Sequence, residues 1–163
     1  MTTIQDPFKL FSLWYEEAKA DDKINDANAM NLATSSWNGV PSNRMTLLDS
    51  FNNEGFTFYS DPQSRRGEEL SDNPRASLCF SWDSLKRQIR VEGNVVLVDN
   101  NKETPNGSVL YNVVPTNVEF WQQNDSESYD KIFYRLENSK WENEVVDAQN
   151  AENPLIGRSK ISA

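Results

Sequence analysis

Two short arginine-containing stretches carry the residues best suited to bind an anion. In the first, "SRRGEEL", Ser64 is followed by Arg65 and Arg66 at the predicted start of a short helix. A helix N-terminus presents free N–H groups and positive potential, and guanidinium groups form bidentate hydrogen bonds with phosphate oxygens. The pattern indicates a phosphate site, although a solvated turn with two incidental charges would show the same residues.

The second stretch is "NRMTLLD", which is predicted to be a strand. Alternation places Arg44, Thr46 and Leu48 on one face and Met45 and Leu47 on the other. An arginine among apolar neighbours on an inward face needs a partner of opposite charge, because an unpaired buried charge is costly. That partner is either a phosphate or an acidic side chain of the protein itself.

Two further stretches carry groups suited to a flat, nucleotide-like ligand. "GFTFYS" ends a predicted strand with Tyr59 and Ser60 just before the arginine pair, although ordinary core and edge residues would fit the same pattern. In "RQIRVEG", the amide of Gln88 offers both a donor and an acceptor, which suits a ring with N–H and C=O edges. The alternative is a surface ladder in which Arg90 and Glu92 form cross-strand pairs.

Composition narrows the classes of function. The chain has 163 residues, a formal net charge of −9 and no histidine. The negative charge argues against nucleic acid or an anionic membrane as a partner, and the lack of histidine excludes Ser-His-Asp, Cys-His and His-zinc chemistry, so no metal site is expected. The single cysteine, Cys79, lies in an apolar run that predicts an inert core thiol. No signal-like or membrane-spanning run is found, so a cytoplasmic protein is expected.

The elements that must position these residues are one helix followed by many short strands. Asp6 and Pro7 predict a helix start, and apolar residues then recur at helical spacing from Phe8 to Ala18. Ser64 and Asn73 predict the ends of a second, short helix. The predicted strands are "AMNLATS", "SNRMTLLDSF", "FTFYS", "RASLCFSW", "RQIRVEGNVVLVD", "VLYNVVP", "VEFWQQ", "KIFYRLE" and "WENEVV", with an Asn38-Gly39 hairpin turn after the first and a tight "NSK" turn before the last.

This order predicts a mainly β fold, a small antiparallel β-barrel with peripheral helices. A single domain is expected over residues 1–147, followed by a polar C-terminal tail over residues 148–163.

Taken together, "DPFKLFSLWYEEA", "NAMNLATSSWNGVPSNRMTLL", "GFTFYSDPQSRRGEELSDNPRASLCFSW", "LKRQIRVEG" and "VVPTNVEFWQ" closely resemble the pyridoxamine 5′-phosphate oxidase family. The resemblance implies a split β-barrel homodimer that binds FMN at the subunit interface. It also implies that Trp121 and Lys131 reach the cofactor across the dimer. The positions that match the family's FMN contacts are Arg44, Met45, Thr46, Leu47, Tyr59, Ser60, Arg65, Arg66, Gln88, Trp121 and Lys131.

The substrate side departs from the family pattern. Asp49 stands where the family has a lysine, Glu127 where it has a substrate-binding arginine, and Tyr129 where it has a histidine. A long segment that supplies a Tyr, an Arg and a Ser for the substrate phosphate is reduced here to "NNKETPNGS". By this count of positions, no cation remains on the substrate side, and two carboxylates would face an anionic substrate.

The resemblance therefore implies an FMN-dependent oxidoreductase acting on a small molecule, with inefficient oxidation of vitamin B6 phosphates. Two alternatives remain open: an enzyme of the same fold with another substrate, and a non-catalytic flavin-binding protein.

Overall fold

The computed structural model describes residues 3–98 and 104–147, and within them the chain forms two α-helices and nine strands. The helices are α1 (Pro7–Ala20) and α2 (Arg65–Asp72). The strands are β1 (Ala29–Ser35), β2 (Pro41–Leu47), β3 (Ser50–Asn52), β4 (Gly55–Ser60), β5 (Arg75–Trp82), β6 (Arg87–Leu97), β7 (Val109–Gln123), β8 (Tyr129–Glu137) and β9 (Lys140–Val146).

All strand pairs are antiparallel, and their order is β2-β1-β5-β6-β7-β4-β3. The first part of β7 pairs with β4 and its last part pairs with β8, which in turn pairs with β9. Strand β2 also approaches β4, so the two ends of the sheet come together around a split. The predicted mainly β split barrel with peripheral helices is confirmed.

Helix α1 closes the barrel with aromatic side chains. It begins as predicted, because the Asp6 side chain accepts a hydrogen bond from the backbone N–H of Phe8 and Pro7 occupies the first turn. Phe11 is fully buried, and its ring lies 4.7 Å from Phe51, 4.9 Å from Phe56 and 5.1 Å from Phe80, measured between ring centroids. The helix therefore anchors the core on which β4 and β5 are fixed.

Two of the predicted strand boundaries are wrong. "VLYNVVP" and "VEFWQQ" form one strand, β7, because a bulge opposite Glu92 and Gly93 absorbs Pro115, which has no N–H to donate. "SNRMTLLDSF" is two strands, because the chain changes partners after Leu47. The backbone N–H of Leu48 donates to Asn28, whereas that of Asp49 donates to Thr57 on β4.

The predicted environment of Cys79 is also wrong. Its neighbours Leu78 and Phe80 point into the core, so alternation along β5 turns Cys79 to the opposite face, where it is half-buried. Burial raises the pKa of the Cys79 thiol. The predicted polar tail, residues 148–163, lies outside the described residues. In the described ranges, neither helix is long and apolar enough to cross a membrane.

Replacing Phe11 by Ala should lower the free energy of unfolding by about 3–5 kcal/mol, the usual cost of deleting a fully buried phenyl ring. Leu13→Ala is the matched control on the same helix, because Leu13 is 54% exposed. Urea unfolding followed by circular dichroism measures both. Equal effects of the two changes would mean that α1 does not anchor the core.

Candidate functional site

Arg44 lies on the inward face of β2, beside the split. Its guanidinium is held by side chains of β1 and β2. Nη1 donates to Thr34 Oγ1 at 2.7 Å and Nη2 donates to Ser42 Oγ at 2.7 Å. Burial lowers the pKa of Arg44, and the nearby positive charges of Arg66 and Arg65 act in the same direction, whereas Glu69 opposes them. Three guanidinium groups therefore converge at this point.

Glu69, on α2, is the acidic partner within this cluster. Its carboxylate is 6% exposed and lies 3.9 Å from Arg44 Nη2 and 3.0 Å from Arg65 Nε. Hydrogen bonds from Thr34, Ser42 and Arg65 lower the pKa of Glu69, with the bond from Thr34 as the largest cause and burial opposing them. The sequence left two possible partners for Arg44, a phosphate or an acidic side chain of the protein. Glu69 is that acidic side chain.

The N-terminal turn of α2 leaves hydrogen-bond donors available for a ligand. Ser64 caps the helix as predicted, and its Oγ accepts from the backbone N–H of Gly67 at 3.3 Å. A Cβ on Gly67 would lie 2.5 Å from the backbone oxygens of Asp61 and Pro62, so only glycine allows the preceding loop to fold back so closely. Nη1 of Arg66 is buried and has no hydrogen-bond partner among residues 3–98 and 104–147. A buried guanidinium N–H without an acceptor is costly, and an anion at this point would satisfy it.

The end of β4 borders the same cluster. Ser60 is 3% exposed, and its hydroxyl lies 3.5 Å from that of Ser64. Tyr59 is 38% exposed and points to the other side of the strand. We call Arg44, Ser60, Ser64, Arg65, Arg66 and Glu69 the anion cradle. It unites the sequence-predicted Arg44, Ser60, Arg65 and Arg66, and Thr46 lies on the same inward face of β2.

The remaining predicted residues lie on the outward face of the sheet. The strand registers place Leu47, Gln88, Trp121 and Lys131 in one row across the sheet, with Met45 in the adjacent row. Met45 and Leu47 are 63% and 57% exposed. In the sheet order, β1, β5 and β6 separate Arg44 on β2 from Trp121 on β7. The structure thus divides the predicted site into an inward cradle and an outward face.

Trp121 is held tightly within this outward face. Its Nε1 donates to Glu119 at 3.0 Å, and the cations of Arg90 and Lys131 lie 5.2 Å and 5.0 Å from the ring centroid. Glu119 also pairs with both cations, at 3.7 Å and 3.6 Å. Trp121 is 4% exposed in the single chain. A ligand approaching the faces of the ring would first have to displace these cations.

The three altered substrate-side residues are distributed over separate loops and strand ends. Asp49 is exposed between β2 and β3 and accepts a hydrogen bond from Thr57 Oγ1 at 3.3 Å. Glu127 is exposed in the β7–β8 turn with φ of 61°. Tyr129 begins β8 and lies edge-on to Trp121, with 6.3 Å between ring centroids.

Counting by sequence position missed two cations beside Tyr129. Lys86 and Arg87 line a cavity of about 130 Å³ together with Gln88 and Tyr129. Arg87 is already engaged, because its guanidinium donates to Gln122 at 2.6 Å, pairs with Glu17 and stacks on Trp14. Lys86 is exposed, and it is the more available of the two positive charges on this side.

Sequence reasoning also missed the side chains that organise the site. Thr34, Ser42 and Glu69 hold Arg44, and Glu119 holds Trp121. One signal was available: Arg65 and Glu69 stand four residues apart, a spacing that places them on the same face of a helix. The contacts of Thr34 and Ser42 depend on the pairing of β1 with β2 and on the packing of α2.

Comparisons with known proteins agree with the fold and the motifs. Residues 16–122 match the family model described as pyridoxamine 5′-phosphate oxidase, and residues 109–146 match the pyridoxine 5′-phosphate oxidase C-terminal dimerisation region. Among solved structures, PhzG from Burkholderia lata 383, in complex with tetrahydrophenazine-1-carboxylic acid, superposes with a TM-score of 0.80 at 19% identity, covering 88% of this chain and 93% of that one. A pyridoxamine 5′-phosphate oxidase-related, FMN-binding protein from Nostoc punctiforme has a TM-score of 0.73 at 15% identity, covering 90% and 100%. At these identities, the structures show the fold alone.

Curated relatives show that the chain is shorter than they are. The pyridoxine/pyridoxamine 5′-phosphate oxidase of Pelagibacter ubique is 52% identical over 95 residues, which are 58% of this chain and 45% of the relative, so the chain spans less than half of that relative's length in this match. The oxidase of Cupriavidus taiwanensis is 34% identical over 178 positions, covering 81% of this chain and 84% of the relative. Because 81% of 163 residues is about 132, about 46 of those 178 positions have no counterpart here. This shortfall agrees with the short connection between β6 and β7.

The family model covers more than half of the sequence, and a relative at 34% identity extends the match to most of its length. The chain belongs to the pyridoxamine 5′-phosphate oxidase family.

Proposed function

We propose that this protein is an FMN-binding flavoprotein with oxidoreductase activity on a small molecule. The observation that carries the proposal is the anion cradle, where three guanidinium groups converge in a chain of net charge −9. One buried N–H of Arg66 has no acceptor in the part of the chain that the structure describes. The phosphate of FMN fits this donor set, because Arg44, Arg65, Arg66 and the N-terminus of α2 all favour an oxyanion. The FMN-binding relative of the same fold supports this choice of anion.

The side chains have distinct tasks in this proposal. Arg44 and Arg66 hold the phosphate and Ser60 borders it, whereas Tyr59, on the other side of β4, is a contact that only the family resemblance implies. Met45, Leu47 and Gln88 on the outward face, and Thr46 on the inward face of β2, contact the flavin, as the family resemblance implies. When bound, FMN would accept a hydride from the substrate. The protein would position the flavin and the substrate and set the electrostatics of the site.

We also propose that the protein works as a homodimer formed through the outward face. The match to a dimerisation region over residues 109–146 covers β7 and β8, where Trp121 and Lys131 lie. The exposed side chains of Met45 and Leu47 give the same face an apolar edge that a second subunit could cover. The flavin site would then be completed by the partner subunit.

Replacing Arg44 or Arg66 by Ala should weaken FMN binding about 10- to 100-fold, because each change removes a charge-assisted contact of about 1.5–3 kcal/mol to the phosphate. Riboflavin, which has no phosphate, should lose far less affinity. Quenching of flavin fluorescence by the apoprotein measures both constants. Arg75→Ala removes the same charge from an exposed position on β5 and is the control. Equal losses for FMN and riboflavin would place the phosphate elsewhere.

Light scattering at micromolar concentration should give the mass of a dimer. Met45→Glu should raise the dimer dissociation constant at least about tenfold, because a carboxylate at an apolar interface is desolvated without a partner. Leu13→Glu, at an exposed apolar position on α1, should leave the mass unchanged. A flavin-loaded monomer of the unmodified protein would contradict the dimer proposal.

Pyridoxine and pyridoxamine 5′-phosphates should be poor substrates, because Asp49 and Glu127 replace two cations. Losing two charge-assisted contacts to phosphate costs roughly 3–6 kcal/mol, or at least about a hundredfold in affinity. Steady-state oxidase kinetics on FMN-saturated protein measure this. The double change Asp49→Lys and Glu127→Arg should raise kcat/KM, whereas Glu54→Lys, with similar charge reversal in the β3–β4 turn, should not. A micromolar KM in the unmodified protein would contradict the charge count and would identify Lys86 as the first group to replace.

A further inference from the structure

The buried carboxylate of Glu69 is the least expected part of the anion cradle, because it places a negative charge where a phosphate is proposed to bind. Burying a carboxylate is costly unless its oxygens are fully satisfied. Here they are: Thr34 Oγ1 donates at 2.5 Å, Ser42 Oγ at 2.8 Å and 2.9 Å to the two oxygens, and Arg65 Nε at 3.0 Å. If Glu69 only attached α2 to the barrel, any polar side chains could be its partners. Instead, Thr34 and Ser42 also hold Arg44, and Arg65 belongs to the cradle.

The directions of these hydrogen bonds depend on the charge of Glu69. An ionised carboxylate can only accept, so the hydroxyls of Thr34 and Ser42 must donate to it. Their lone pairs are then free to accept from Nη1 and Nη2 of Arg44, each at 2.7 Å. The carboxylate thus sets the orientation of Arg44 through two hydroxyls and that of Arg65 directly.

An amide at position 69 could not maintain this arrangement. If the NH₂ group of Gln faced Thr34, the hydroxyl of Thr34 would have to accept from it, and its own proton would lose its acceptor. If the NH₂ group faced Arg65, two donors would meet. Either way, one hydrogen bond that fixes the guanidinium groups would be lost although the size of the side chain is unchanged.

Glu69 also sets the net charge that the cradle offers to a ligand. Three guanidinium groups and one carboxylate leave a net charge of +2, and a phosphate monoester carries about −1.5 to −2 at neutral pH. Without the carboxylate, the three guanidinium groups would repel one another without compensation in the unliganded protein.

We propose that Glu69 is the positioning residue of the phosphate site: without touching the ligand, it orients Arg44 and Arg65 so that the cradle takes a dianionic phosphate monoester. This inference rests on the proposed FMN function. It predicts that Glu69 controls the preference for FMN over riboflavin and has little influence on the affinity for the flavin ring.

The test compares apoprotein variants by flavin fluorescence quenching. Glu69→Gln should weaken FMN binding about tenfold, which corresponds to about 1.4 kcal/mol, and should change riboflavin affinity less than about twofold. Glu68→Gln is the matched control. It removes the same charge from the neighbouring position, where the side chain is exposed and forms no hydrogen bond with residues 3–98 or 104–147. This control should leave the ratio of the two affinities unchanged.

A merely structural role would lower stability and weaken both flavins in parallel, and a merely repulsive carboxylate would make Glu69→Gln bind FMN more tightly. Either result would overturn the proposal. Thermal unfolding reports whether Glu69→Gln is folded. If it is not, Ser42→Ala gives the same test, because it removes one of the two hydroxyls that link Glu69 to Arg44. An unchanged FMN preference in Ser42→Ala would also overturn the proposal.

The same measurements separate the proposed phosphate site from the proposed role of Glu69. If the unmodified protein prefers FMN and Glu69→Gln keeps that preference, only the role of Glu69 is wrong. If the unmodified protein does not distinguish FMN from riboflavin, the proposed phosphate site is wrong, and the role of Glu69 is wrong with it.

Discussion

The electrostatic balance between three guanidinium groups and one buried carboxylate is the interaction on which the site depends. Arg44 comes from β2, while Arg65 and Arg66 come from the start of α2, so the two elements must meet at the split of the barrel. Like charges brought this close repel unless a counter-ion is present. Glu69 provides that counter-ion within the protein and leaves a surplus of positive charge for a ligand.

The barrel provides the geometry for this balance. Antiparallel strands alternate their side chains between two faces, so β2 presents Arg44 and Thr46 inward and Met45 and Leu47 outward. A ligand that reaches from the cradle to Gln88 has to extend from the split to the outward face. In the proposed dimer, the partner subunit would cover this face, so that one strand could supply both the proposed phosphate-binding and the proposed ring-binding positions.

Much of this organisation was predictable, and the failures have physical reasons. The Ser64 cap, the Arg65-Arg66 pair and the alternation around Arg44 follow from local rules, and the family resemblance joined them into one site.

The role of Glu69 was not predicted, because "GEEL" contains two adjacent acids and only the packing of α2 decides which one is buried. Pro115 was interpreted as a strand end, because the bulge that accommodates it depends on the pairing of β7 with Glu92 and Gly93 of β6, which no local pattern shows. Cys79 was assigned to the core because its apolar neighbours concealed the alternation of β5. Lys86 and Arg87 were missed because position-by-position matching ignores cations that arrive from a neighbouring loop.

The central claim is that the cradle holds the phosphate of FMN, and the most direct measurement is the absorbance spectrum of the purified protein followed by identification of the flavin released on denaturation. The account predicts flavin absorption bands, bleaching with dithionite, and release of FMN at one molecule per subunit. A colourless protein that does not take up added FMN at micromolar concentration, or one that binds riboflavin equally well, would contradict it.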